Sequence, residues 1–177
     1  MIRTYRWLPT AMLAFTVSTF AASPYVGETS RSIKALSDQE VADYLAGKGM
    51  GLAKTAELNG YPGPAHVLEL AAQLSLSPAQ KASTEAIFER MQARAIASGK
   101  RLIDEERNLD ALFASKAISA SLLHQALDAI ASLQGEVREI HLQAHLEQAE
   151  VLSAAQAMKY WHLRGYADGK TNHQHVH

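Results

Sequence analysis

The stretch LSPAQKASTEAIFERMQARAIASGKRLIDEERNLDALFASK, Leu76 to Lys116, holds one proline, Pro78, and one glycine, Gly99. Its first residues form a helix-start signal. The Ser77 hydroxyl can cap free backbone N–H groups, Pro78 suits the first helical position, and Gln80 can bond back to the cap residue. Leu76, just before the cap, can act as a hydrophobic staple. The stretch predicts one helix from Pro78 to about Lys116, about 58 Å long at 1.5 Å per residue. Phe88, Met91, Ala95, Leu102, Leu109 and Leu112 or Phe113 lie on its apolar stripe, with Gly99 and Glu106 as weak points.

A second run follows after the short link SKAIS. From about Ala120 to Val151 it has no proline and only Gly135, and its apolar positions step by three and four: Leu123, Ala126, Ile130, Leu133, Val137, Ile140, Ala144, then Val151. That is a heptad-type seam. Two long helices joined by so short a link must fold back as an antiparallel hairpin. The start signal then returns as LSAAQ, with Leu152 before Ser153 and Gln156, and predicts a short C-terminal helix.

Upstream, residues 23–36 show no sustained period and read as a loose arm. SDQE at Ser37 to Glu40 has the parts of a capping box and opens a short helix to about Ala46. GKGMGLAKTAELNGYPGP, residues 47–64, reads as a broken helix and a turn, with Pro64 opening a further short helix through Val67, Leu68, Ala71, Ala72 and Leu74. A bare hairpin exposes much apolar surface, so the short N-terminal helices, a second chain, or both must cover one face. The expectation is an all-α fold of this plan, assembled as a homodimer.

MIRTYRWLPTAMLAFTVSTFAA, residues 1–22, places Arg3 and Arg6 before an apolar run and small residues, the order of a secretory signal peptide cleaved after Ala21 or Ala22. The mature chain would carry 15 Lys+Arg and 18 Asp+Glu, since the signal removes Arg3 and Arg6. A net negative chain gives no electrostatic case for nucleic acid. With no cysteine, an exported protein must rely on packing, oligomerisation or metal, and thiol chemistry is excluded.

Export, absence of cysteine, a helical hairpin, and Leu-Ser-x-x-Gln at both Leu76–Gln80 and Leu152–Gln156 together resemble the Spy/CpxP family of periplasmic proteins. That family is named for a Leu-Thr-x-x-Gln motif occurring twice; here serine replaces threonine and keeps the capping hydroxyl. The likeness covers roughly residues 64–166 and places Leu76 near Leu152 at the open end of the hairpin. It implies a thin, curved dimer, and either of two roles. One is an ATP-independent chaperone that binds unfolded or misfolded envelope proteins during stress. The other is a heavy-metal-binding buffer, or a sensor with a membrane-bound partner.

Each role has candidate residues. For clients, Ile87, Phe88, Met91, Ile96, Leu102 and Ile103 interleave with Arg90, Arg94, Lys100 and Arg101 on the first long helix; a stripe at this spacing equally describes core. For metal, His141 and His145 stand at i and i+4, with Glu89 opposite as a third, oxygen ligand. Zinc, nickel or copper would suit such a set. His173, His175 and His177 alternate in a flexible tail, residues 167–177, whose composition suits loose metal capture. The alternative for the helical pair is a polar flank to the seam. No Gly-rich phosphate loop, HExxH or GxSxG occurs, so no enzymatic role is expected.

Overall fold

The computed structural model describes residues 23–167. Residues 1–22, read above as a signal peptide, and the tail histidines His173, His175 and His177 lie outside these. The described residues form six α-helices and no strand: α1 (Asp38–Leu45), α2 (Lys54–Glu57), α3 (Pro64–Glu69), α4 (Pro78–Ala114), α5 (Ala120–Val151) and α6 (Ala154–Leu163), preceded by a 3₁₀ turn at Glu28–Ser30. None is long and apolar enough to cross a membrane.

Local chemistry sets the boundaries. Full capping boxes stand at Ser37–Glu40, Ser77–Gln80 and Ser153–Gln156. Ser119 caps α5 through the Leu122 N–H. The stops are equally local. After α4, Lys116 takes φ 59°, and the Lys116 and Ala117 N–H groups donate to the Phe113 and Leu112 carbonyls. This closure caps the last turn with a left-handed residue. Ser75, at φ 52°, closes the turns after α3 in the same way. The stretch to Leu74 expected as helix is therefore helical only to Glu69, with tight turns beyond.

The long pair α4 and α5 carries the core. Leu102 clusters with Ile130 and Leu133. Farther from the link, Ser98 donates to Glu136 at 2.7 Å, and Ile87, Met91 and Ala95 pack with Ile140 and Ala144. Partner numbers fall on α5 as they rise on α4. The α5 seam buries Ala126, Ile130, Leu133, Val137, Ile140 and Ala144, and also His141, His145 and Gln148.

The N-terminal segment covers the other side of α4. Ile33 and Leu36, from the arm that shows no period, bury Ile103 together with Val41 and Tyr44 of α1. Gly99 is the docking point: a Cβ there would stand 2.9 Å from the Tyr44 carbonyl oxygen. A residue that weakens α4 as a helix is thus what lets α1 lie against it. At the other end, Val67, Leu74, Leu152 and Tyr160 make a buried cluster with Leu70 and Leu76 against it.

Candidate functional site

The two Leu-Ser-x-Ala-Gln copies meet. The Gln80 side-chain amide donates to Gln156 Oε1 at 2.8 Å, and the Gln156 amide returns to Gln80 Oε1 at 3.1 Å. The same amides reach main-chain carbonyls beside the opposite copy, Gln80 to Val151 at 3.0 Å and Gln156 to Leu74 at 3.3 Å. Each oxygen also accepts its own cap N–H, from Ser77 or Ser153. One glutamine therefore closes a capping box and ties two distant chain segments at once. The repeat exists as a pair because each copy satisfies the other.

Next to this clamp lies a polar hub on Glu57, the last residue of α2. Its Oε1 accepts from Tyr160 at 2.6 Å, Tyr166 at 3.1 Å and Arg164 at 3.3 Å. Burial, and then the bond to Glu57, push the Tyr160 phenol well above its ordinary range. Glu57 Oε2 is buried without a hydrogen-bond partner among the described residues and stands 3.8 Å from His145 Nδ1. That nitrogen bonds the Tyr61 carbonyl at 2.8 Å. A carbonyl only accepts, so Nδ1 carries a proton there. Gly63 lies under the ring, where a Cβ would come within 2.9 Å of Cε1.

Open clefts flank α2. One, about 420 Å³, has His66, His141, His145, Glu69 and Phe88 in its wall. A second, about 470 Å³, shares His66 and His145 and adds Glu57, Leu58 and Tyr166. A third, about 540 Å³, lies between α2 and Arg138 of α5. His141 is 3% exposed, with Nε2 unpartnered among the described residues. Burial, with His145 beside it, lowers its pKa, so the ring is neutral at pH 7.

Of the described residues picked out for metal, this geometry keeps the two histidines together and sets Glu89 apart. His141 and His145 share a cleft, but the carboxylate beside His145 is Glu57, while Glu89 is exposed on α4. Among the described residues no group of three or more histidine, aspartate or glutamate side chains converges closely enough to hold a metal ion. His66 joins the cleft instead, with Nδ1 2.9 Å from Glu69 Oε2.

The proposed client stripe is divided. Ile87, Met91, Leu102 and Ile103 are buried within the chain, at 7%, 9%, 1% and 3% exposure, so as placed they are core and not a binding face. Their cover is α5 and, for Ile103, the N-terminal arm. Phe88 is half-buried, Ile96 is 36% exposed, and Arg94 and Arg101 are exposed, Arg101 pairing with Glu136.

Sequence reasoning missed Glu57, Tyr160 and His66 as site residues. Glu57 meets its partners across 103 to 109 positions, and a lone acid ending a four-residue helix gives no periodic signal. Gly63-Pro64-Ala65-His66 marked a turn and a helix start but gave no hint of a wall residue. No family model, no curated protein and no solved structure matches this chain.

Proposed function

We propose that the protein is an exported, ATP-independent client-binding protein of the Spy/CpxP type. In this reading α4 and α5 work as an antiparallel hairpin, two copies associate as a curved homodimer in the periplasm, and non-native envelope proteins are held there against aggregation. The observation that carries it is the open trough along α2. Its walls mix exposed apolar side chains, Met50 at 36% and Leu58 at 49%, with Lys54, His66 and Arg138. A mixed, unenclosed surface suits weak holding of many sequences and their release, whereas chemistry on a small substrate wants a concave, largely closed pocket. The buried part of the stripe moves client contact away from Ile87, Met91, Leu102 and Ile103 and toward this trough, with Phe88 at its α4 side.

The test is light scattering from a chemically denatured client diluted into buffer with the metal-stripped mature protein near equimolar, with and without zinc. Suppression without zinc is expected. No suppression in either arm overturns the reading.

A second reading, a metal buffer or sensor, is favoured by the imidazoles of the cleft. His145 and His66 each have Nδ1 on an oxygen acceptor, which leaves Nε2 free to ligate, the orientation that outer-sphere partners give to metal-binding histidines. Bound zinc, nickel or copper would cross-link α3 to α5 there. Calorimetry should then detect binding that survives deletion of residues 167–177 and disappears when His141 and His145 are both replaced. Binding that follows the tail instead assigns it to His173, His175 and His177.

A further inference from the structure

The lobes of the trough differ in charge. The lobes around His145 include Glu57 or Glu69 in their walls. The outer lobe, about 540 Å³, is walled by Met50, Leu52, Lys54, Leu58, Asn59 and Arg138, and no acidic residue lines it. Of the 14 lysines and arginines among the described residues, eight pair with a carboxylate, Arg31, Lys34, Lys48, Lys81, Arg90, Arg101, Arg107 and Arg164, while Arg94, Lys100, Lys116 and Lys159 stand apart from this trough without one. Lys54 and Arg138 have no such partner among the described residues. Two unmatched cations from different helices thus share one pocket with two exposed apolar side chains, in a chain with more acidic than basic residues.

We propose that this lobe grips stretches of polypeptide in which a large apolar side chain adjoins a carboxylate. The apolar group rests on Met50, Leu52 and Leu58, and the carboxylate lies between Lys54 and Arg138. The proposal rests on the client-binding reading and names the sequence class that the protein selects. Charge complementarity decides the occupant. An apolar segment flanked by lysine would bring like charges together and lose the pairing, and a purely acidic segment would leave the apolar wall wet. The pocket is open and its ion pairs stay solvated, so each grip is weak and salt-sensitive, as a holdase that must release requires.

The experiment titrates the isotope-labelled, metal-stripped mature protein with Gly-Ser peptides carrying a central Leu-Glu, Leu-Lys or Ser-Glu pair, following backbone amide shifts by NMR. Leu-Glu should shift the amides of residues 50–59 and of Arg138, with the other two peptides binding roughly threefold to tenfold more weakly. The Lys54→Glu/Arg138→Glu variant should reverse the order and prefer Leu-Lys. That reversal requires a folded site, so it separates lost charge from lost structure. Equal affinity for Leu-Glu and Leu-Lys, an unchanged order in the variant, or shifts that map elsewhere would overturn the proposal. Light scattering on the same preparations reads the client-binding function separately. Suppression with no peptide preference sinks the site alone, and absence of suppression sinks the function.

Discussion

The two ends of the long helix pair are built differently. At the end near Gln80 and Val151, two capping boxes, two reciprocal amide bonds, the Leu74–Leu152–Tyr160 cluster and the Glu57 hub converge. At the other, the link from Ser115 to Ser119 is held by a left-handed Lys116 and one cap, and Phe113 and Leu122 stay 49% and 38% exposed. Both ends terminate helices with the same local chemistry. Only the first adds contacts between segments far apart in sequence, and such contacts make an end cooperative with the rest of the fold. The molecule therefore opens first at the link, while the trough sits near the end that opens last.

The comparison breaks most readily at Tyr160. This side chain is 2% exposed, lies in the buried cluster, and donates to Glu57. Tyr160→Ala should lower unfolding stability by about 3–5 kcal/mol, the range for truncating a buried aromatic. Phe113→Ala should cost less than about 1 kcal/mol, since its ring is half in water already. Urea unfolding of both variants gives the contrast. Equal losses would mean that the two ends are equally tied.

The glutamine pair sharpens the same contrast. Gln80→Ala and Gln156→Ala each remove one half of a reciprocal bond and leave carbonyls at Val151 or Leu74 without that donor. Each should cost about 1–2 kcal/mol. The double variant should cost less than their sum, because the second change removes a partner already lost, and a coupling of about 0.5–2 kcal/mol is expected. Strict additivity would show that each glutamine serves only its own capping box.

The helix pair and its ends were legible because their signals are local. Ser77, Pro78 and Gln80 act within one turn, and the α5 seam repeats without a break, so Ala120–Val151 agrees with the expected span. What covers a stripe is not local. Ile103 looks the same in sequence whether it faces a client or the core, and its cover, Ile33 and Leu36, comes from an arm with no period of its own. For His145 a helical face was legible, but not the loop that crosses it. The Tyr61 carbonyl and Gly63 reach the ring from 84 and 82 positions away. Folding the pair back puts His145 opposite the neighbourhood of Glu89 and Arg90, but Glu89 itself is exposed, and the carboxylate beside His145 is Glu57 of α2.

The smallest expected effect is a difference in the pH dependence of the two halves. Burial lowers the His141 pKa below its ordinary 6.5, so the folded state resists the proton that the unfolded chain accepts. The stability tied to neutral His141 is complete above about 6.5 and is lost as pH falls through the lowered value. Burial raises the Glu106 carboxyl above its ordinary 4.5, and the sign reverses: its contribution is complete below about 4.5 and is lost as pH rises through the raised value. His141→Gln should therefore flatten the loss of stability between pH 7 and about 5, and Glu106→Gln should stabilise the protein modestly at pH 7 with little change near pH 4. Unfolding midpoints measured across that range distinguish the two. Matching slopes in both variants would remove burial as the cause, and would leave the contrast between the ends of the helix pair to packing and hydrogen bonds alone.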